Sequence, residues 1–549
     1  MRGITGLLSI AIAGTVIFQF QTEHTLLHAA TSPSAGLTGQ VSSEEGLMEG
    51  VLVSAKRDGS TITVTVDSDE QGRYSFPRNR LEPGQYSLRI RAIGYELDGP
   101  ASAQIAAGKT ATVNLKLRKK QDISSQLTNT EWLLSMPGRD EEKFLMGVCG
   151  NCHTYERILK SHYTAVDFLG ILRLMGSFSP GSTPAFPQTR GIDGGVGVAV
   201  RKETAQFLST INLSAADNWA FPLKTLPRPA GRATHVIVTE YELPRPEAEP
   251  HDVLLDSDGM VWYRDFGTEH IGSLDPKTGK VVDYPMPEIK PGFSRGMADV
   301  EIDRFGNLWT GIRQAAVIKF DTKTHEFTFC CANEDAAQKD PKNRTDFGML
   351  APVYDADGKV KVWGFGPNMP GVNRLDLSTG QLQNFYSHAV YGVNADSKGN
   401  GYGLEFANQN IIKVDATTGE VKVYRTPTPN SGPRRGRMDA QDRYWFAEFR
   451  GNKIGVFDTR TEMFKEWALP TPWTGPYDVV LDKNGEAWTG GMFSDRVIRF
   501  NTKTGQFTEY LLPRNTNIRR VFVDNSTTPV TFWAGNNHGR SIVKVEPLD

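Results

Sequence analysis

Asp275-Pro-Lys-Thr-Gly279 recurs downstream as Asp376-Leu-Ser-Thr-Gly380, Asp415-Ala-Thr-Thr-Gly419 and Asn501-Thr-Lys-Thr-Gly505. Each copy reads as a tight turn closed by glycine. Each sits in a longer unit: an apolar strand, a glycine turn, a strand with an aromatic marker, a polar loop, a third strand, the Thr-Gly turn and a final strand rich in Tyr or Phe. The markers are Trp262, Trp309, Trp363, Tyr402, Trp445, Trp488 and Trp533. A repeat of this kind overrides local assignments. Seven units of about forty-five residues, four strands each, predict a seven-bladed β-propeller over 236–549.

The ends of that region predict how the ring shuts. Val238-Thr-Glu-Tyr-Glu-Leu-Pro244 matches the fourth strand Phe507-Thr-Glu-Tyr-Leu-Leu-Pro513, yet it precedes the first complete unit. The last unit stops after a third strand near 541–545. The early strand is expected to complete the last blade and to pair edges that would otherwise stand open.

Cys149-Gly-Asn-Cys152-His153 carries the clearest chemistry. C-x-x-C-H is the attachment pattern for c-type haem, in which two thiols bond the porphyrin and the histidine ligates iron. A thioredoxin-like pair would want a βαβ context, and half a zinc site would want a second Cys or His pair at suitable spacing. Neither is present. Helices are expected over 141–148 and 203–211, with a Gly/Pro-rich loop over 177–197, giving a small α-helical, cytochrome c-like domain at 142–215. Met175 is the candidate sixth iron ligand, His162 is its rival, and an open sixth position is the third arrangement. A charged linker is expected over 119–142.

Residues 36–118 alternate in polarity over 61–66, 86–93 and 110–117 and are punctuated by Asp69-Glu-Gln-Gly72 and Glu82-Pro-Gly84 turns, which reads as a small all-β module. Gly72-Arg-Tyr-Ser-Phe76, Pro83-Gly-Gln-Tyr86, Gly94-Tyr95 and Ala107-Gly-Lys-Thr110 resemble the carboxypeptidase regulatory-like domain. That resemblance implies a transthyretin-like Greek-key sandwich without catalytic residues. The whole chain is therefore expected to be mainly β, with a transthyretin-like β-sandwich, a small helical haem domain and a seven-bladed β-propeller.

The 549 residues carry a net charge of −2, which provides no global field for nucleic acid or an anionic membrane. Arg2 followed by an apolar run over 6–18 resembles a secretory signal within 1–32 and is short for a membrane span. Periplasmic or secreted localisation is expected, with retention of that segment as a membrane anchor the alternative, and no later segment is apolar enough to span. Cys330 and Cys331 are adjacent, which excludes a conventional disulfide framework.

Val261-Trp-Tyr-Arg-Asp-Phe-Gly-Thr-Glu-His-Ile-Gly-Ser-Leu-Asp275 and Tyr444-Trp-Phe-Ala-Glu-Phe-Arg-Gly-Asn-Lys-Ile-Gly455 resemble blades of the streptogramin (virginiamycin B) lyase family. The resemblance implies an elimination that opens a cyclic ester, assisted by a divalent cation such as Mg²⁺ and a histidine base. It places Glu249 and His251 as catalytic residues, with Glu249 and Asp265 as metal ligands. The family's second histidine is missing: Ala298 and Arg519 stand at the equivalent entry positions. Arg434, Arg519, Tyr391 and Tyr477 fall on the same rim and suit a small anionic substrate or haem propionates. Two functions follow as expectations. One is electron transfer by covalent haem c, with a redox partner protein and the propeller as binding module. The alternative is a metal-assisted lyase at the rim.

Overall fold

An aspartate six residues ahead of the marker ties the first hairpin of a blade to its second strand. Trp262 Nε1 donates to Asp256 (2.7 Å), Trp309 to Asp303 (2.8 Å), Trp445 to Asp439 (2.9 Å) and Trp488 to Asp482 (2.9 Å). Tyr402 makes the same bond to Asp396 through its hydroxyl (3.1 Å). The rings themselves pack between blades, so one side chain both closes a turn and fills the core. At the other recurrent turn, Gly279, Gly419 and Gly505 adopt φ of 72°, 74° and 75°, the left-handed region that glycine enters without strain.

The computed structural model describes residues 35–179, 181–189, 201–213, 218–288, 292, 295–312, 316–330, 348–354, 360–366, 369–379 and 381–549. The segment expected to direct export, Cys331 and the side chain of Ala298 lie outside the described residues. Six four-stranded antiparallel sheets follow one another over 250–285, 297–330, 348–384, 392–425, 433–468 and 476–511, and these are blades 1 to 6. Blade 7 consists of Val521–Asp524, Thr531–Asn536 and Ser541–Pro547, and its fourth strand is Val236–Glu242. That strand pairs from Val236↔Pro547 to Glu242↔Ser541, as ring closure requires.

The second edge of the closing strand was not foreseen. Ile237↔Val66 to Tyr241↔Ile62 join it antiparallel to Ile62–Asp67 of the sandwich. Blade 7 and one sandwich layer are therefore a single eight-stranded sheet, continuing through Leu52–Arg57 and Gly84–Arg91 to Ala101–Ile105. Successive side chains of the closing strand feed different cores: Val236 and Val238 enter the last propeller core, whereas Ile237 enters the sandwich core. Arg91–Asp495 (2.7 Å), Lys56–Glu242 (2.8 Å) and Arg80–Glu546 (2.8 Å) add ion pairs across the same seam.

Among the described residues, five α-helices lie between sandwich and propeller: α1 Asn129–Ser135, α2 Asp140–Cys149, α3 Glu156–Leu159, α4 Ala165–Gly176 and α5 Lys202–Ile211. α1 occupies the stretch expected as a charged linker. A capping box between Thr128 and Glu131 starts it, and its Trp132 is fully buried. The helices sit on one rim of the propeller. Trp132, Leu133, Met146 and Tyr155 share an apolar cluster with Phe449, Tyr477, Met492 and Phe493 of blades 5 and 6. Thr130 N donates to Phe493 O and Thr130 Oγ1 to Trp473 O, both at 2.9 Å. No helix among the described residues is long and apolar enough to cross a membrane.

Candidate functional site

The haem-type motif sits where α2 ends. Gly150 N still donates to Met146 O, and the chain then turns, with Cys152 N reaching back to Cys149 O (3.5 Å). This turn is fastened to blade 7. Asn517 Nδ2 donates to Gly150 O (2.9 Å) and Arg519 Nη2 to Asn151 O (2.7 Å). Both cysteines are free thiols, and burial pushes the Cys149 thiol up to about 12. His153 Nδ1 bonds Thr154 O (3.0 Å), a contact that fixes the proton on Nδ1 and leaves the lone pair on Nε2. Burial holds this imidazole below its ordinary value, so it is neutral. Cys152 and His153 line a cavity of about 730 Å³, to which Arg157, Arg540 and His538 also contribute.

The two expected sixth ligands lie elsewhere. Met175 is half-buried near the end of α4 and is not among the residues lining this cavity. His162 is exposed, and its Nδ1 bonds Leu213 O (2.7 Å).

The lyase-like residues are buried rather than on an open rim. Glu249 and Asp265 are 0 % exposed and His251 is 1 % exposed, so none of them meets solvent. Asp265 is already saturated. It pairs with Arg245 (2.6 Å) and accepts from Glu249 N, Gly267 N and the Thr268 hydroxyl. Glu249 Oε1 accepts from Asn537 Nδ2 (3.2 Å). His251 turns away from both carboxylates and bonds Asp252 through Nδ1. Burial, reinforced by Arg264, drives the His251 imidazole well below its ordinary value.

A chain of hydroxyls continues from His251. Tyr477 Oη lies 3.3 Å from His251 Nε2 and 2.7 Å from Tyr391 Oη, which accepts from Arg434 Nη2 (3.1 Å). The Arg434 guanidinium stacks on Tyr477 at 4.1 Å and on Phe449 at 4.5 Å. Arg434 and Tyr477 are thus buried beside the half-buried Tyr391, and Arg519 is bonded to the haem-type turn.

Among the described residues, His251, Asp252 and Asp299 are the group whose ligand atoms lie close enough together for a metal ion. Their charge argues otherwise. Asp299 pairs with Arg435 (2.6 Å) and Arg520 (3.0 Å), and Asp252 with Arg264 (3.3 Å) and Arg520 (3.4 Å). The axial channel is filled by an internal ion lattice. Sequence reading missed Asp252, which follows His251 directly, and His538, which an alignment of the blade hairpins would have exposed.

Residues 383–547 match the virginiamycin B lyase family. The lyase-like propeller is preceded by a carboxypeptidase regulatory-like domain, matched at 36–118. Over the lyase-like propeller the chain is similar to virginiamycin B lyase from Staphylococcus aureus, at 19% identity, with 56% of this chain and 99% of that chain covered and a TM-score of 0.47. A streptogramin B lyase structure is similar at 20% identity, with 58% and 99% covered and a TM-score of 0.48. Among curated proteins none matches.

Proposed function

We propose that this chain is an exported c-type haem protein, with periplasmic or extracellular residence, in which the propeller and sandwich form the frame that holds an electron-transfer centre. The observation that carries the proposal is the Cys149–His153 turn, bonded to blade 7 and opening onto a cavity of about 730 Å³. That volume lies within the roughly 300–1,000 Å³ usual for ligand sites. The donor set fits haem: two thiols, one imidazole oriented through its far nitrogen, and guanidinium groups of Arg157 and Arg540 in the wall for carboxylates.

Cys149 and Cys152 would each add S–H across one porphyrin vinyl group, sulfur bonding one carbon and hydrogen the other. His153 Nε2 would ligate iron while Thr154 O holds Nδ1–H. When bound, haem supplies a one-electron iron couple. An external redox protein would exchange the electron.

A metal-assisted lyase is the alternative that the family match brings to mind, and the donor set does not fit Mg²⁺. Asp265 is saturated by Arg245 and backbone donors, and Asp252 and Asp299 are already neutralised by arginines. Expression with haem-maturation machinery tests the first proposal. Pyridine haemochrome spectra should report one haem that acid-acetone does not extract, and Cys149→Ala/Cys152→Ala protein should lose it. Colourless wild-type protein overturns the proposal. Calorimetric titration with Mg²⁺ should give identical isotherms for wild type and His251→Ala. Cleavage of a cyclic ester lost with His251→Ala would restore the lyase.

A further inference from the structure

His538 stands opposite the haem-type turn in the hairpin between the second and third strands of blade 7. That hairpin has the same length in other blades: Glu448↔Lys453 flank Phe449-Arg-Gly-Asn452, and Asn536↔Ser541 flank Asn537-His-Gly-Arg540. The place held by His538 is occupied by Arg450 in blade 5, Ala407 in blade 4 and Phe493 in blade 6. The histidine is therefore not required by the turn.

Its environment asks for a partner that the protein does not supply. Both ring nitrogens, Nδ1 and Nε2, are buried without a hydrogen bond. The carbonyls of Gly150 and Asn151 approach the ring without reaching hydrogen-bond geometry with it, and they accept instead from Asn517 and Arg519. An imidazole buried with neither nitrogen satisfied is costly unless something else fills the position. His538 and His153 line the same cavity.

The loop is held in place in advance. Gly539 N donates to Asn536 Oδ1 (3.1 Å), Asn536 Nδ2 to Asn515 O (3.1 Å) and Asn537 Nδ2 to Glu249 Oε1 (3.2 Å). Glu249 thereby acts as a positioning residue for the hairpin.

The geometry points to His538 as the sixth ligand of the haem iron, so that the cofactor is clamped between the helical segment and the closing blade of the propeller. This rests on the haem reading above. It assigns the ligand to a residue far from the helical segment in sequence, and it releases Met175 and His162 from that role.

The test uses full-length protein matured with haem. Ferric wild type should give a low-spin, bis-imidazole electron paramagnetic resonance signal without a sulfur-to-iron charge-transfer band. His538→Ala should keep its covalent haem, counted by pyridine haemochrome, while the low-spin signal is replaced by a high-spin one and returns on adding imidazole. His538→Met should convert the spectrum to the imidazole–thioether type, which covers the case where the alanine variant fails to fold. Met175→Ala and His162→Ala should leave the wild-type signal unchanged. A low-spin signal that persists in His538→Ala without added ligand, or its loss in Met175→Ala or His162→Ala, overturns the assignment while leaving covalent haem intact. Wild type with no covalent haem would instead overturn the haem reading itself, and the two failures are distinguished by the haem count.

Discussion

Replacing Ile237 with alanine tests whether the sandwich and the propeller are one cooperative structure. Ile237 is 2 % exposed and its side chain belongs to the sandwich core, but its backbone is paired on one side with Val66 and on the other with Glu546. Truncating a buried isoleucine to alanine removes its transfer energy and leaves a cavity, about 2–5 kcal/mol in total. The substitution leaves both backbone ladders chemically intact, so the loss originates in the sandwich core. All ten tryptophans lie at or beyond Trp132, which makes tryptophan fluorescence silent on the sandwich and sensitive to the helices and blades. If the eight-stranded sheet transmits stability, urea titration followed by tryptophan emission should register the full loss. Leu88→Ala, a truncation deeper in the same sandwich core, should do the same. An unchanged tryptophan midpoint alongside an earlier, separate transition in far-ultraviolet circular dichroism would refute cooperation across the seam.

Glu448, fully buried at the end of the second strand of blade 5, is pushed up to about 8 by burial and by the nearby Glu466. The folded state keeps this proton between roughly pH 4.5 and 8 while the unfolded chain releases it, so the contribution from this group falls as pH rises through that window. Glu448→Gln should flatten that slope and raise the urea midpoint at pH 8 relative to wild type; an equal slope in both proteins would refute the assignment. Trp445→Phe keeps the ring stacking but strips the donor from Asp439, and a loss of about 1–3 kcal/mol in chemical unfolding is expected. Arg519→Ala removes a charged donor from Asn151 O, with a cost of about 1.5–3 kcal/mol localised at the motif. Faster hydrogen exchange at Gly150 to Cys152, with unaltered exchange in blade 3, is the expected readout.

The propeller was legible because its signals are local and recur: an aromatic marker in every unit, with aspartate and glycine turns in most. Ring closure was legible for the same reason, since the orphan strand at 238–244 carries the sequence of a fourth strand. Its second pairing, with Ile62–Asp67, was not, because an edge strand advertises no partner and either ladder satisfies the same backbone groups. At the site, the cysteines and His153 were legible as a contiguous motif. The fate of the lyase-like residues was not. Spacing put His251 and Asp265 at one rim, but that rim is covered by segments distant in sequence: Gly181 packs on Phe266, and Gln188 Nε2 bonds Gly267 O. Arg434 and Arg519 looked like solvent-facing forks for the same reason, and only tertiary packing buries them. His538 belonged to a loop whose sequence neighbours are all turn formers, so its isolation from hydrogen-bond partners is a purely tertiary fact.

The doubly paired strand Val236–Glu242 also dictates the order of assembly. Ile62–Asp67 emerges early and must wait with one bare edge until Val236–Glu242 follows it. That strand then waits for Ser541–Pro547, which pairs only after the other six blades have been laid down. Loop-closure entropy opposes so distant a pairing until the intervening blades have compacted. A chain cut short before Ser541 therefore loses more than one strand: its ring stays unsealed, and the bare edge becomes a template for neighbouring copies. Ring closure and attachment of the sandwich are settled at one seam, where the sandwich and blade 7 meet.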